Sequence, residues 1–245
     1  MRVSRQYLEL SQPFTTESGA RIENPIVCYE EYGNPTGPVI YVAHGGLSSQ
    51  HAAGVYEETD SKPGWWDALI GDDKVIDTRV FRVICSNALG SMYGTSSPAQ
   101  IDAGTGKRLG NRFPVITLID MVRYARLFLK EMGVEKLYMM TGPSMGALQS
   151  LQMAALYPDF VERVVGVAAA GRMTPSGIAI HEFMINAITM DPEFNNGDYP
   201  DGACQTALRM IHQVAKIYYT HENIIKELCW DVVDESQTAQ KERSE

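Results

Sequence analysis

One continuous segment, LYMMTGPSMGALQSLQMAALYP (137–158), joins an apolar run to a helical pattern through the five-residue turn GPSMG. The run LYMMT is apolar without alternation, which is typical of a strand covered on both faces in a mostly parallel sheet. After the turn, apolar side chains recur at helical spacing, at Met145, Leu148, Leu151 and Ala155. A strand, a sharp turn and a helix in this order predict an α/β fold with helices on both faces of the sheet.

The same alternation of strand and helix extends over the first two thirds of the chain. Further strands are predicted at PIVCYEEYG, VIYVA (39–43), FRVIC (81–85) and VERVVGVAAA (161–170). Between them TLIDMVRYARLFLKEMG predicts an amphipathic helix with a capping box at Thr117 and Asp120 and a stop at Gly133. We therefore expect a core domain over residues 1–172.

The pattern changes after Gly171, where two helical stretches follow without intervening strands. They are PSGIAIHEFMINAITM and QTALRMIHQVAKIYY, separated by the loop DPEFNNGDYPDG. A helical insertion after a sheet commonly forms a lid, so residues 173–230 are predicted to be a helical lid. The polar, charge-dense residues 231–245 are expected to be a mobile tail.

Composition excludes several classes of function. The net charge of −9 repels polyanions, which argues against nucleic-acid binding. No signal-peptide pattern or membrane-spanning run is present, so we expect a cytoplasmic protein without membrane contact. The four cysteines, Cys28, Cys85, Cys204 and Cys229, are far apart, which favours reduced core thiols over a disulfide framework or a metal site.

The turn GPSMG fits a nucleophile elbow, in which a serine in a strained conformation projects from the junction of strand and helix. Ser144 is then the candidate nucleophile, and Gly142 and Gly146 remove side chains that would collide there. The N–H of Met145 at the helix start is one candidate oxyanion donor. The loop AHGGLSS after VIYVA offers the second, from Gly46 or Leu47.

Several longer segments resemble the homoserine O-acetyltransferases and their acyltransferase relatives in the α/β-hydrolase superfamily. They are PGWWDALIGDDKVIDTRVFRVICSNALGSMYGTSSPAQIDAGTGKRLGNRFPVITLIDMV, GPSMGALQSLQMAALYPDFVERVV, DPEFNNGDY and ALRMI. The resemblance implies transfer of a short acyl group from acetyl-CoA or another acyl-CoA to the hydroxyl of homoserine, as in methionine biosynthesis. Ser144 would carry the acyl group, and Gly46 and Met145 would bind the oxyanion. No cofactor or metal is implied beyond the acyl-CoA substrate.

The same resemblance implies that Arg209 binds the carboxylate of the amino-acid acceptor, for which a guanidinium fork is suited. Two positions depart from the family pattern: Pro143 replaces a glycine found in many members, and Lys216 stands where relatives that use homoserine have tyrosine. The acceptor, homoserine or a similar amino acid, and the acyl group, acetyl or succinyl, therefore stay open.

The remaining members of a catalytic triad are not evident. In this superfamily an acid and then a histidine follow the nucleophile on loops after the last strands. The five histidines do not have that placement, since His44 and His51 precede Ser144 and His181, His212 and His221 lie in helical sequence. We expect the last strands, the acid and the base to be absent from this chain, which is then either incomplete or completed by another segment.

Three functions stay open on the sequence alone. The first is a homoserine O-acetyltransferase-type enzyme that acts on small molecules, as a homodimer or with a completing C-terminal segment. The second is an acyl esterase, in which water replaces the acceptor and no arginine is needed to bind an acceptor carboxylate. The third is a truncated, non-catalytic remnant.

Overall fold

The computed structural model describes residues 1–221 and residue 224. Its strands are β1 (Gln6–Glu9), β2 (Phe14–Thr15), β3 (Arg21–Ile22), β4 (Ile26–Gly33), β5 (Val39–Ala43), β6 (Ile70–Gly71), β7 (Ile76–Asp77), β8 (Arg82–Ser86), β9 (Met139–Pro143) and β10 (Val164–Val167). Its α-helices are α1 (Leu118–Glu131), α2 (Met145–Leu156), α3 (Pro175–Thr189) and α4 (Gln205–Tyr219). The chain divides into two compact units, Met1–Arg172 and Met173–Glu245.

The first unit is built on a six-stranded sheet in the order β1-β4-β8-β5-β9-β10. Strands β8, β5, β9 and β10 are parallel, whereas β4 is antiparallel to both β1 and β8. The prediction of an α/β fold with a mostly parallel sheet is confirmed. Since β5 and β9 are adjacent and parallel, the loops that follow them leave the same edge of the sheet side by side.

Alternate residues of the strands enter two separate cores. On one face Tyr41 and Ile84 pack with α1 and with Met153 of α2. On the other face Val42 and Cys85 pack with Ala52, Ile70 and neighbouring residues of an irregular segment. Helices were expected on both faces, but among the described residues the second face is covered by this segment, which contains the short pair β6–β7.

Helix α1 begins as the sequence predicts. The Thr117 hydroxyl accepts a hydrogen bond from the Asp120 N–H, and the Asp120 carboxylate accepts one from the Thr117 N–H, both at 3.1 Å. This reciprocal capping box satisfies two backbone donors that the helix leaves free. Beyond the helix, Gly133 has a φ of 72°, a conformation that glycine adopts without strain.

Two predicted strands have different limits in the structure. The strand predicted at 137–141 is β9, shifted by two residues, because Leu137 forms only an isolated bridge to Val161. The strand predicted at 161–170 is limited to β10, and Ala168 follows it with a φ of 55°, which breaks the extended conformation. Val165 and Val167 of β10 are 48% and 43% exposed.

The second unit contains α3 and α4. Thr174 caps α3 by accepting a hydrogen bond from the Gly177 N–H at 3.1 Å, and Pro175 occupies the first turn. The assignment of residues 173–230 to a lid stays a prediction, and the tail predicted at 231–245 lies outside the described residues. None of the described helices has the length and apolarity needed to cross a membrane.

Candidate active site

Ser144 is the single residue between the end of β9 and the start of α2. Its φ of 52° and ψ of −120° are a conformation that a residue with a side chain rarely adopts. The backbone around it is held firmly: its N–H donates to Val167 O at 2.8 Å, and its carbonyl accepts from the N–H groups of Ala147 and Leu148 at 2.9 and 3.1 Å. The strained residue is therefore fixed on both sides and exposed to solvent.

Gly142 and Gly146 are required by the neighbouring strand. A Cβ on either residue would lie 2.1 or 2.0 Å from the carbonyl oxygen of Ala43, the last residue of β5. From the sequence, these glycines are expected to prevent a collision where strand and helix cross. In the structure the closest obstacle is the backbone of β5, so the two glycines bring the elbow against the loop that follows β5.

That loop forms a tight turn beside Ser144. The Ser48 N–H donates to Gly45 O at 3.1 Å, which places Gly46 and Leu47 at the exposed tip. A Cβ on Gly45 would lie 3.8 Å from the Ser144 Cβ, so the turn and the elbow are in close proximity. We call residues Gly45–Ser48 the oxyanion turn.

The structure thus brings three of the predicted site residues together. Met145 is the first residue of α2, so its N–H has no acceptor inside the helix and lies at the positive end of the helix dipole. Gly46 directly follows Gly45, the residue of the oxyanion turn that lies next to Ser144. Their service as oxyanion donors stays a prediction.

The side chain of His44 connects the first residue of the oxyanion turn to the backbone of Ala88. The imidazole is buried, its Nε2 accepts the Ala88 N–H at 2.9 Å, and its Nδ1 lies 2.7 Å from Gly45 O. Since a backbone N–H needs an acceptor, Nε2 is unprotonated and Nδ1 donates. Burial lowers the pKa of His44, which keeps the ring neutral. Both ring nitrogens are engaged in holding the backbone.

His51 has a partner that the sequence analysis missed. Its Nδ1 lies 3.0 Å from the carboxylate of Glu30, which is fully buried on β4. A signal was available in the sequence, because Glu30 and Glu31 interrupt an otherwise apolar strand and one of them must face a core. Buried carboxylates need donors, and the nearby histidine is one.

The other predicted residues lie in the second unit. The Nδ1 atoms of His181 and His212 lie 2.6 and 2.9 Å from the Gly177 and Leu208 carbonyls, one turn earlier on α3 and α4. Arg209 is an exposed residue of α4. Within residues 1–221, its guanidinium group forms no ion pair. Its predicted contact with a carboxylate substrate stays a prediction.

Cys28, Cys85 and Cys204 are free and buried, as the sequence predicts for core thiols. Cys229 lies outside the described residues. No group of three or more His, Cys, Asp or Glu side chains within the described part of the chain is arranged to hold a metal ion.

The chain as a whole has recognisable relatives. Residues 38–242 match the family model described as the α/β-hydrolase fold. The chain belongs to this family. The strained serine at a strand–helix turn is thereby placed in a fold in which such a turn carries the nucleophile.

Among curated proteins, this α/β-hydrolase chain is 43% identical over 201 residues to a homoserine O-acetyltransferase of Deferribacter desulfuricans, covering 80% of this chain and 53% of the relative. It is 40% identical over 203 residues to one of Methanococcoides burtonii, covering 82% of this chain and 42% of the relative. The chain thus spans about half the length of the curated relatives it matches.

Two solved structures resemble this chain about equally closely. The homoserine O-acetyltransferase of Bacillus anthracis is 30% identical with a TM-score of 0.87, over 93% of this chain and 63% of that one. A crystallised esterase is 34% identical with a TM-score of 0.85, over 92% of this chain and 64% of that one. The overall fold is therefore shared by a transferase and a hydrolase.

Proposed function

We propose that this chain takes part in acyl transfer from an acyl-CoA to the hydroxyl of homoserine or a similar amino acid, through an acyl-Ser144 intermediate. The observation that carries the proposal is the strained Ser144 between α2 and the oxyanion turn. The Ser144 hydroxyl attacks the thioester carbonyl, CoA leaves as the thiol, and the acceptor hydroxyl then takes the acyl group. The Gly46 and Met145 N–H groups stabilise the oxyanion in both steps.

The names of the relatives support this acceptor. The matched proteins of Deferribacter and Methanococcoides are named homoserine O-acetyltransferases. Homoserine carries a carboxylate, which the exposed guanidinium of Arg209 would bind. The acyl donor is proposed as acetyl-CoA, and no further cofactor is needed for a serine-based transfer.

The proposed reaction also needs a general base for Ser144. Among the described residues, His44 and His51 are engaged in holding backbone or a buried carboxylate, and the Ser144 hydroxyl makes no hydrogen bond. We propose that a further segment supplies the acid and the base. The outer edge of β10 offers a place for it, since β10 ends the strand order of the sheet in the described part of the chain.

The direct test is to mix the protein with acetyl-CoA and follow thiol release and intact mass, with Ser144→Ala as the control. The reaction is repeated with homoserine, and with the C-terminal region of a homoserine O-acetyltransferase added as a second polypeptide. We expect an acetyl adduct on Ser144 that homoserine removes, with the added polypeptide increasing the rate. Absence of any adduct under all conditions would contradict the proposal.

An esterase is the second candidate, because an esterase structure is as similar to this chain as a transferase structure. Arg209 separates the two. For a transferase, Arg209→Gln should lower transfer to homoserine at least about tenfold, the value of a charge-assisted hydrogen bond, and leave adduct formation unchanged. For an esterase, the adduct discharges to water equally fast with and without homoserine, and Arg209→Gln has no effect. Arg172→Gln, at an exposed arginine outside α4, is the charge-matched control.

A further inference from the structure

The side chain of Glu30 on β4 is an acidic group with no exposed surface. Three donors surround it: the Tyr32 hydroxyl at 2.7 Å, the Tyr56 hydroxyl at 2.6 Å and His51 Nδ1 at 3.0 Å. An ionised carboxylate only accepts hydrogen bonds, so three convergent donors match the charged form. A buried charge without hydrogen-bond donors is costly. Burial of Glu30 therefore stabilises the conformation in which all three donors stay in contact with the carboxylate.

The donors belong to, or contact, the chain that continues directly from the oxyanion turn. His51 is three residues beyond Ser48, the last residue of that turn. The Tyr32 hydroxyl also lies 3.0 Å from Gln50 O and accepts the Ala52 N–H at 2.9 Å. With its single proton donated to Glu30, the Tyr32 hydroxyl still accepts from Ala52, so Glu30 fixes the backbone directly after His51 through Tyr32.

Trp65 also holds the stretch that follows the oxyanion turn. The indole N–H of Trp65 donates to Ser49 O at 2.9 Å, and the Trp65 backbone N–H donates to His51 O at 3.2 Å. At the other end of the turn, His44 holds Gly45 O. The exposed tip lacks support of its own, since no atom lies within 4 Å of a Cβ built on Gly46. The position of the tip is thus set by its two ends.

The ring of Tyr56 contacts both His51 and Arg5. Its ring stacks on His51 with centroids 4.2 Å apart, and the guanidinium carbon of Arg5 lies 5.5 Å from the ring centroid. Burial and the hydrogen bond to Glu30 raise the pKa of Tyr56 to about 12, so its hydroxyl stays a donor at neutral pH.

We propose that Glu30, Tyr32, His51 and Tyr56, here called the Glu30 cluster, are positioning residues that set the place of the oxyanion turn beside Ser144. The proposal rests on the proposed acyl transfer. The cluster acts through the backbone of residues 49–52. The cluster should therefore affect the rate of the acylation step and not the binding of acetyl-CoA, because the oxyanion develops only as the reaction proceeds.

Glu30→Gln tests the cluster, and Glu31→Gln is its matched control. Glu31 is the next residue of the same strand, points to the other face and pairs with Arg82 at 2.7 Å with a quarter of its side chain exposed. At saturating acetyl-CoA we expect Glu30→Gln to lower the rate of Ser144 acetylation about tenfold or more, a part of the loss that follows removal of an oxyanion donor. The acetyl-CoA concentration for half-maximal rate should stay unchanged, and Glu31→Gln should behave as wild type.

Hydrogen exchange gives a readout that does not depend on activity. In Glu30→Gln we expect the amides of residues 45–53 to exchange about tenfold faster or more, while those of β5 and β9 keep their protection. If the wild-type chain forms no acetyl adduct, the proposed function fails, but the exchange experiment still tests the cluster. Equal exchange and equal rates in Glu30→Gln and Glu31→Gln would overturn the inference.

Tyr56→Phe is the second variant, for the case in which Glu30→Gln does not fold. It removes one donor from Glu30 and keeps the ring that stacks on His51. We expect the same pattern with a smaller amplitude: a lower acetylation rate, an unchanged half-maximal concentration and faster exchange in residues 45–53. A folded Tyr56→Phe protein that matches wild type in all three would count against the cluster.

Discussion

Gly146 lies against the carbonyl of Ala43 so closely that a Cβ on the glycine would stand 2.0 Å from the oxygen. This approach joins the first turn of α2 to the end of β5. Because Ser144 precedes that turn and the oxyanion turn follows β5, the contact determines how near the two parts of the candidate site can come.

Gly146→Ala should therefore be strongly destabilising. The obstacle is backbone in the central strand, which cannot rotate away as a side chain would. We expect the free energy of unfolding to fall by about 3 kcal/mol, the upper end of the range for overpacking in a rigid core. Urea denaturation measures it. Gly171→Ala is the control, since no atom lies within 4 Å of a Cβ there, and it should change stability by less than about 0.5 kcal/mol.

Replacement of Ser144 should reveal the strain at the elbow. Its φ of 52° costs a residue with a side chain about 1 kcal/mol or more, which glycine avoids. Both Ser144→Ala and Ser144→Gly lose the hydroxyl, but Ser144→Gly should be more stable than Ser144→Ala by about 1 kcal/mol. Thermal and urea unfolding of the two variants compare them. Equal stability would show that the turn relaxes when the serine is changed.

The neutral, buried state of His44 predicts an acid-dependent loss of stability. Its pKa is lowered in the folded state, so the unfolded chain binds more protons once the pH falls below the ordinary histidine value of about 6.5. The contribution is complete above that pH and is lost progressively as the pH falls from it towards the lowered pKa of the folded state. Urea midpoints between pH 5 and 8 should show a smaller acid loss in His44→Gln than in wild type. His212→Gln, an exposed position, should keep the wild-type slope.

The thiols of Cys28 and Cys85 should be unreactive in the native protein. Burial raises the pKa of Cys28 to about 11 and that of Cys85 well above its usual range. Since the thiolate is the reactive form, both should resist alkylation at pH 8 until the chain unfolds. Mass spectrometry of peptides after iodoacetamide treatment, with and without urea, checks this. Rapid native labelling at either residue would contradict the buried position.

Local sequence patterns were sufficient for the elements and for the elbow. The capping box of Thr117 and Asp120, the strand at 39–43 and the helix at 205–219 follow from side-chain periodicity and capping, which act between near neighbours. The limits of β10 were less predictable, because the positive φ at Ala168 has no residue signature. The turn GPSMG predicted an exposed, strained serine for a similar reason, since a few adjacent residues determine it.

What the sequence by itself determined is the α/β architecture and Ser144 as its candidate nucleophile, because both depend on short-range order along the chain. Only the tertiary structure decided what Gly142 and Gly146 avoid, and which partners hold His44 and His51. The Ala43 carbonyl and the Glu30 carboxylate reach these residues through strand pairing and burial. Such contacts join positions distant in sequence, and no local pattern records which of two adjacent glutamates faces the core.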